Sequence, residues 1–437
     1  MLGGNYIAAA AAALAMLAVA MTVASSTAAA GDGGVIETDE AGALQINSSD
    51  PLTQPVLLNG QDVLSVIEAQ TRVIEEQESI HKELESSLSE LQQLSAEGRR
   101  EIAALRREVC RLDVHDSTID WILGAGSDEY KWGGGVLAPN GLIYGVPYSA
   151  TTVLIIDPTT NTLDLTTMTG LPTGSFKWHG GVLVPSNNNI YCFPSSHDSV
   201  LKINPATNTA DWASITGVGR VAAKFLSGVL GNNGLLYGIP YSATFVLIVD
   251  PNTDTIDTTT LSELGNDEPK WIGGVVVPDG RIFGIPFGAD AVLIINPDTN
   301  TLDTTSIVGL DSGSNKWAGG VLANNGLIYA IPGIRPSVLI IDPQTVTVDT
   351  TSIADLGQNG WINGVLAANG RVAGIPYNSE TVLIIDPETS TADTTSLTGV
   401  GAGTANNKYL GGVLAPNNLI YSIPANADSV LVIDVGC

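Results

Sequence analysis

Two sets of residues in this sequence have side chains that could carry chemistry. In the first set, a lysine precedes an aromatic residue, and the pair recurs through the C-terminal three-quarters of the chain. Ammonium groups beside aromatic rings suit anionic or hydroxylated ligands, such as acidic or sulfated glycans. The second set is His179, His197 and Asp198, which could form an acid–base site or bind a metal ion.

The lysine stands before the aromatic residue in six of seven copies, and Gly360 replaces it in the other one. The predicted ligand-binding residues are these lysines, five tryptophans and three tyrosines that follow a proline: Lys131, Trp132, Tyr148, Lys177, Trp178, Lys224, Tyr241, Lys270, Trp271, Lys316, Trp317, Trp361, Tyr377 and Lys408. In the alternative interpretation these residues recur because every copy has the same packing problem. The lysines would then pair with acids of adjacent copies, and the indoles would pack between them.

The histidines lie in the second copy, which departs most from the others and also holds Cys192 and Lys202. No third metal ligand accompanies His179 and His197, and Gly-x-Ser-x-Gly, Cys-x-x-Cys-His and His-Glu-x-x-His motifs are absent from the sequence. The sequence therefore favours a binding protein that needs no cofactor or metal. The alternative is a lyase or hydrolase acting at His179 and His197.

The positions of the aromatic residue show how these side chains would be arranged. They are Trp132, Trp178, Phe225, Trp271, Trp317, Trp361 and Tyr409, with spacings of 46, 47, 46, 46, 44 and 48 residues. Seven copies of this length predict a β-propeller with seven blades of four strands each. In this strand order, the loops holding the Lys-aromatic pairs and the Pro-Tyr pairs share one face of the propeller.

The first copy predicts strands over residues 134–138, 142–146, 152–156 and 162–168. Its glycine pair would relieve crowding around the propeller axis, and Asn140-Gly141 favours a tight hairpin. The third strand is apolar on both faces, as expected between two blades. The fourth alternates threonine and aspartate with apolar residues, which is typical of a protected outer edge.

The two ends of the repeat region predict how the ring closes. The last copy ends after its third strand, and Ser117–Ile122 resembles the missing fourth strand. We expect the N-terminal strand to complete the seventh blade. Cys110 and Cys437 flank the same seam and are predicted to form a disulfide, although Cys110 could instead pair between helices or stay free.

The order Gly-Val-x-x-Pro-Asn-Gly, Ile-Tyr-Gly-Ile-Pro and Val-Leu-Ile-Ile-Asp-Pro-x-Thr-Asn-Thr resembles the YVTN-type family of quinoprotein-like seven-bladed propellers. The resemblance covers residues 115–437 and departs from the family in the Lys-Trp opening and the Pro-Tyr pair. It implies a surface, secreted or binding protein. Because some propeller lyases of this superfamily use a histidine, it also keeps the enzyme alternative open.

The region before the repeats divides into three predicted segments. Residues 1–30 are apolar and Ala-rich, which predicts a signal peptide or an uncleaved signal anchor. Residues 31–61 form a linker or a small β segment, with a glycosylation acceptor at Asn47. Residues 62–112 fit a heptad frame and predict a coiled-coil stalk that makes a homo-oligomer. A single helix folded against the propeller (residues 113–437) is the alternative.

The net charge of −27 argues against binding to nucleic acid or to an anionic membrane surface. The combined prediction is a secreted or cell-surface protein whose propeller binds a glycan or a protein partner. A membrane association is expected only if the leader is uncleaved. A purely architectural component without a small ligand remains a third hypothesis.

Overall fold

The computed structural model describes residues 116–436, apart from 267–268, 312, 358–359 and 402–405, together with short segments between residues 35 and 90. Contacts within the chain divide it into two compact units, residues 1–97 and 98–437.

The described residues of the N-terminal unit form two small antiparallel sheets and one helix. Val35–Thr38 pairs with Leu44–Asn47, and Leu57–Leu58 pairs with Gln61–Asp62. The helix spans residues 68–84 and is exposed along its length, including the heptad residues Ile74 and Leu84. The leader and the segment from 91 to 112 lie outside the described residues, so the coiled coil and the signal sequence stay predictions. No helix in the described part combines the length and the apolar character needed to cross a membrane.

The C-terminal unit is a propeller of seven antiparallel four-stranded sheets. The first strands of blades 1 to 7 are Trp132–Leu137, Trp178–Val184, Phe225–Leu230, Trp271–Val276, Trp317–Leu322, Trp361–Leu366 and Tyr409–Leu414. The second strands are Ile143–Pro147, Asn189–Pro194, Leu236–Pro240, Ile282–Pro286, Ile328–Pro332, Val372–Pro376 and Ile420–Pro424. The third strands are Leu154–Asp157, Leu201–Asn204, Leu247–Asp250, Leu293–Asn296, Leu339–Asp342, Leu383–Asp386 and Ser429–Asp434. The fourth strands are Thr162–Asp164, Thr209–Asp211, Thr255–Asp257, Thr301–Asp303, Thr347–Asp349, Thr391–Asp393 and, in blade 7, Thr118–Leu123.

The ring closes as the sequence predicts. Thr118–Leu123 pairs antiparallel with Ser429–Asp434, so that residues about 310 positions apart form one sheet. Cys110 and Cys437 lie outside the described residues, and their disulfide stays a prediction. Among the described residues, Cys192 is a free, buried thiol whose pKa is raised by burial.

In four blades the tyrosine of the second strand also forms a hydrogen bond to the next blade. In blade 7 the Tyr421 hydroxyl lies 2.7 Å from Asn161 Oδ1 and 3.2 Å from the Pro158 carbonyl oxygen, both in blade 1. Blades 4 and 6 lack this hydroxyl because Phe283 and Ala373 stand in its place. There an arginine two positions earlier donates to a carbonyl oxygen of the next blade: Arg281 to Pro343 at 2.5 Å and Arg371 to Val435 at 3.4 Å. The contact between blades is therefore kept with a different side chain.

The fourth strand is shorter than predicted. In blade 1 it ends at Asp164, whereas the sequence pattern extends it to residue 168. The Asp164 carboxylate accepts hydrogen bonds from the backbone N–H groups of Thr166 and Thr167 at 2.7 and 3.0 Å and from both hydroxyls. This side chain ends the strand by capping a turn, because its oxygens replace the partners that a longer ladder would supply.

Six aspartates cap such turns and have a lowered pKa: Asp164, Asp211, Asp257, Asp303, Asp349 and Asp393. The Thr167 hydroxyl, with the N–H of Thr166, lowers the pKa of Asp164 to about 2. The folded-state pKa lies below the unfolded value of about 3.9. The stabilisation is therefore present above that value and is lost as pH falls toward 2.

We expect Asp164→Asn to be less stable than the wild-type protein at pH 5, with a difference that shrinks as pH falls from 4 to 2. Urea denaturation of both proteins across this range measures the difference in the free energy of unfolding. A difference that stays constant between pH 5 and 2 would mean that the ionised carboxylate does not cap the turn.

Candidate ligand-binding face

The six lysines of the predicted binding ring lie in the protein interior. Lys131, Lys177, Lys224, Lys270, Lys316 and Lys408 are all buried. Lys224 Nζ donates to the carbonyl oxygens of Ser195, His197 and Val221 at 2.9–3.1 Å. Ser195 and His197 belong to blade 2 and Lys224 opens blade 3. The ammonium group thus joins two adjacent blades and uses all three of its N–H donors.

Lys131 repeats this arrangement across the ring seam. Its Nζ donates to the carbonyl oxygens of Asp128, Ala425 and Ala427, at 2.7, 2.9 and 2.9 Å. Burial lowers the pKa of Lys131 and of Lys224 to about 8, while nearby carboxylates such as Asp128 and Asp198 act in the opposite direction. Because the ammonium donors are already occupied, a ligand would have to compete with backbone carbonyls. Ligand binding by the lysines stays a prediction.

The five predicted tryptophans are likewise buried between blades, as the packing alternative expects. Each indole Nε1 donates to a carbonyl oxygen in the same blade, for example Trp132 to Thr152 at 2.9 Å and Trp271 to Ala291 at 2.8 Å. The matching partners of Trp178, Trp317 and Trp361 are Ser199, Ser337 and Thr381. A buried indole needs such an acceptor, and the repeated pair solves that need in the same way each time.

The tyrosines after the prolines reach the surface at the propeller axis. Tyr148, Tyr241 and Tyr377, together with Phe287, are half-buried over an apolar cluster. That cluster consists of Ile272, Ala318, Ile362, Leu410 and Ala425. Tyr148 also contacts Tyr130 and Phe176, at ring-centroid distances of 6.4 and 4.9 Å. We call these six aromatic residues the aromatic floor: Tyr130, Tyr148, Phe176, Tyr241, Phe287 and Tyr377.

The phenol groups of the floor converge although they come from distant parts of the chain. Burial raises the pKa of Tyr148 to about 12, opposed by the Ser195 hydroxyl and reinforced by the phenols of Tyr241 and Tyr130. Burial also raises the pKa of Tyr377, and the phenols of Tyr130, Tyr148 and Tyr241 add to that shift. Tyr148 and Tyr377 therefore stay protonated at neutral pH, and each lies within electrostatic range of the phenols of Tyr130 and Tyr241.

The axial channel beside the floor is lined mainly by the glycines of the first strands. Its cavity measures about 210 Å³. Gly273 has a φ of +86°, and a Cβ placed there would lie 2.6 Å from the Cα of Gly319. A side chain at Gly273 would therefore not fit, which agrees with the predicted crowding around the axis, although Ser227 and Asn363 stand at the equivalent positions of blades 3 and 6. Its polar side chains, among the described residues, are His179, Ser227 and Asn363.

His179 occupies a position that is isoleucine, leucine, alanine or glycine in the other blades. Its Nδ1 lies 2.6 Å from the carbonyl oxygen of Leu226, and because a carbonyl can only accept, Nδ1 carries the hydrogen. Burial lowers the pKa of His179 to about 4, so the imidazole is neutral at physiological pH. Tyr148 contacts this ring edge-on at 5.1 Å.

His197 and Asp198 have different partners from His179. The His197 ring packs on Trp178 at 4.5 Å, and its Nδ1 lies 2.9 Å from the Ser199 hydroxyl. Asp198 accepts a hydrogen bond from the Gly219 N–H at 2.6 Å. In the described part of the chain, no three acidic, histidine or cysteine side chains cluster as metal ligands would. The predicted catalytic set is therefore not seen as one hydrogen-bonded group.

A second cavity, of about 600 Å³, lies among the loops of blades 3 to 5. Its lining includes Lys270, Asp290, Gly288 and Thr304. Gly288 follows Phe287 in the sequence, so one residue of the cavity lining is the chain neighbour of a residue of the aromatic floor.

Three residues of the floor were absent from the predicted site: Tyr130, Phe176 and Phe287. Phe287 follows Pro286, as each predicted tyrosine follows its proline, and that position would have identified it. Tyr130 and Phe176 directly precede the lysine, where Asn315 and Asn407 stand in blades 5 and 7. A comparison of the copies shows that the residue type varies at that position, but the meaning of the variation depends on the backbone conformation there.

Comparison with solved structures supports the fold. A catalytically inactive histidine-to-alanine variant of virginiamycin B lyase from Staphylococcus aureus, solved with quinupristin, is 10% identical, with a TM-score of 0.60 over 73% of this chain and 99% of that one. The extracellular domain of a one component system from B. thetaiotaomicron is 10% identical, with a TM-score of 0.54 over 72% and 39% of the two chains. The WD40 propeller domain of Doa1 is 12% identical, with a TM-score of 0.54 over 72% and 97%.

No family model matches the sequence. No curated protein matches it either. At these identities the structural neighbours show a shared propeller architecture, and they assign neither a ligand nor an activity. The resemblance to the YVTN-type family stays a prediction from the repeat motif.

Proposed function

We propose that this chain is a secreted or cell-surface binding protein whose aromatic floor binds a neutral glycan. The observation that carries the proposal is the convergence of four phenols and two phenylalanine rings at the propeller axis. Tyrosine presents an apolar ring face and a polar hydroxyl at once. A sugar ring has the matching character, with C–H groups on its face and hydroxyls at its edge.

The charge around the floor favours a neutral ligand over an anionic one. The six lysine residues are buried, and the ammonium groups of Lys131, Lys177, Lys224, Lys316 and Lys408 donate to backbone carbonyls. His179 is neutral, and the whole chain carries a net charge of −27 that repels anions. This changes the ligand expected from the sequence, which was an acidic or sulfated glycan.

Binding is favoured over catalysis because the residues that could do acid–base chemistry have separate partners. Extracellular domains among the structural neighbours are in keeping with a role outside the cell. The exposed helix at 68–84 offers apolar side chains through which copies could associate. Several floors held together would raise the apparent affinity for a multivalent glycan.

The full chain is expected to bind neutral oligosaccharides on a glycan array, and Tyr377→Ala and Phe287→Ala should each weaken binding at least tenfold. Both changes remove ring surface from the floor, and tenfold corresponds to about 1.4 kcal/mol. Trp121→Ala is the matched control, since Trp121 is an exposed aromatic residue on the outer strand of blade 7. Absence of any neutral-glycan binding, or equal affinity in all four proteins, would overturn the proposal.

The second candidate is a lyase or hydrolase that uses His179 as a base. It is favoured by one observation: Nδ1 holds the hydrogen and the ring is neutral, which leaves Nε2 with a lone pair. Loss of turnover in His179→Ala, with His197→Ala unaffected and the fold intact, would support this candidate over the binding protein.

A further inference from the structure

The residue immediately before the lysine adopts a left-handed backbone conformation in five blades. Its φ is +50° at Tyr130, +59° at Phe176, +50° at Ala223, +63° at Asn315 and +62° at Asn407. The carbonyl of the following residue accepts hydrogen bonds from the loop after the second strand, as Lys131 does from Tyr148 and Ala150. The fold therefore favours this conformation at the equivalent point of these five blades, whereas Pro269 precedes the lysine in blade 4.

The residue types at this point differ in how well they tolerate that conformation. Asparagine is enriched in the left-handed region, whereas a bulky aromatic residue there is an outlier. Blades 5 and 7 carry the tolerant residue, and blades 1 and 2 carry tyrosine and phenylalanine. The backbone conformation alone does not explain these aromatic residues, because asparagine adopts the same left-handed conformation in blades 5 and 7.

The two strained aromatic residues lie together with a third ring. Tyr130 and Phe176 are 5.3 Å apart between ring centroids, and Tyr148 lies 4.9 Å from Phe176. The rings meet at interplanar angles of 74° and 54°, so that they form a corner and not a parallel stack. Phe176 is 39% exposed, although it would be expected to bury its ring if its role were core packing.

We infer that Tyr130, Tyr148 and Phe176 form the primary subsite of the aromatic floor, which binds the apolar face of one neutral pyranose ring. This inference rests on the proposed function. The Tyr130 hydroxyl accepts a hydrogen bond from Asn407 Nδ2 at 2.5 Å, so its own O–H is left to donate toward a sugar oxygen. Backbone strain is retained at binding sites when the strained side chain is needed for the ligand.

The test is Phe176→Asn, which introduces the residue that blades 5 and 7 carry at the same backbone position. We expect affinity for the bound neutral oligosaccharide to fall at least tenfold. We also expect the melting temperature to rise by about 2 °C, because strain is relieved. A purely structural role for Phe176 predicts the reverse, a lower melting temperature with unchanged affinity.

Asn315→Phe is the matched control, since it puts a phenylalanine at the equivalent position of blade 5. It is expected to lower the melting temperature and to leave affinity unchanged. Glycan binding by the wild-type protein that Phe176→Asn does not weaken would overturn the subsite and keep the proposed function. A wild-type protein that binds no neutral glycan would overturn both. Displacement by an apolar peptide, with none by free monosaccharide, would overturn the pyranose assignment.

Discussion

Replacing Ile122 with aspartate is expected to lower the free energy of unfolding by more than about 4 kcal/mol. Ile122 lies in the N-terminal strand that completes blade 7, and it packs in one apolar cluster with Trp132, Val430 and Val432. A carboxylate there would be buried without a partner. It would also weaken the pairing of Thr118–Leu123 with Ser429–Asp434, which closes the ring.

The control for this substitution is the neighbouring residue in the same strand. Leu123 is 75% exposed, so Leu123→Asp should change stability by no more than about 0.5 kcal/mol. Urea denaturation gives the two free energies, and hydrogen exchange in Ser429–Asp434 reports whether the seam opens first. Equal losses in both variants would mean that the seam does not depend on this packing.

Lys224→Met is expected to lower the free energy of unfolding by about 3 kcal/mol. The change keeps the length of the side chain and removes the ammonium group that binds three carbonyl oxygens. Those buried acceptors of blades 2 and 3 then lose their donor, and an unsatisfied buried acceptor is more costly than the net value of the bond. Chemical denaturation at neutral pH measures the effect.

Lys202→Met is the corresponding control in the same part of the propeller. Lys202 forms an ion pair with Asp254 at 2.5 Å, but its side chain is 22% exposed, so the loss should stay within about 1 kcal/mol. If Lys224→Met keeps its stability and loses affinity for an anionic ligand, the lysine is a ligand-binding residue, as the sequence predicts.

The blade number, the strand order and the closing strand could be predicted because they depend on the repeat period and on the apolar pattern of the strands, both of which are visible in the sequence. The aromatic residue returns every 44 to 48 positions, and the apolar third strand can only lie between two blades. Ser117–Ile122 could be paired with Ser429–Asp434 because the last copy lacks one strand that the first copy has in excess. These are arguments from the pattern of whole segments.

The chemistry of individual side chains was harder to predict. A lysine recurs at the position of Lys224 in other copies, which indicates that the position is important for the fold or for binding. Which of the two applies depends on the orientation of the three carbonyl oxygens around its ammonium group. That depends on loop conformation, which residue types specify only weakly. The same holds for Asp164, which was expected to protect a sheet edge and instead caps the turn that ends the strand.

Tyr130 and Phe176 were missed for a related reason. Their significance appears only when the backbone conformation is known, because a tyrosine before a lysine is unremarkable in sequence. Once φ is seen to be positive at both, the asparagines at 315 and 407 become the informative comparison.

Gly360 leaves one interface between adjacent blades without the lysine that the other copies carry. At five of the other interfaces an ammonium group bonds to carbonyl oxygens of the preceding blade, while Gly360 has no side chain that could do so. Thermal opening should therefore start between blades 5 and 6 and not within blade 7, where the two chain ends pair. Although the seven blades are similar, the ring would then open preferentially at one of its seven interfaces.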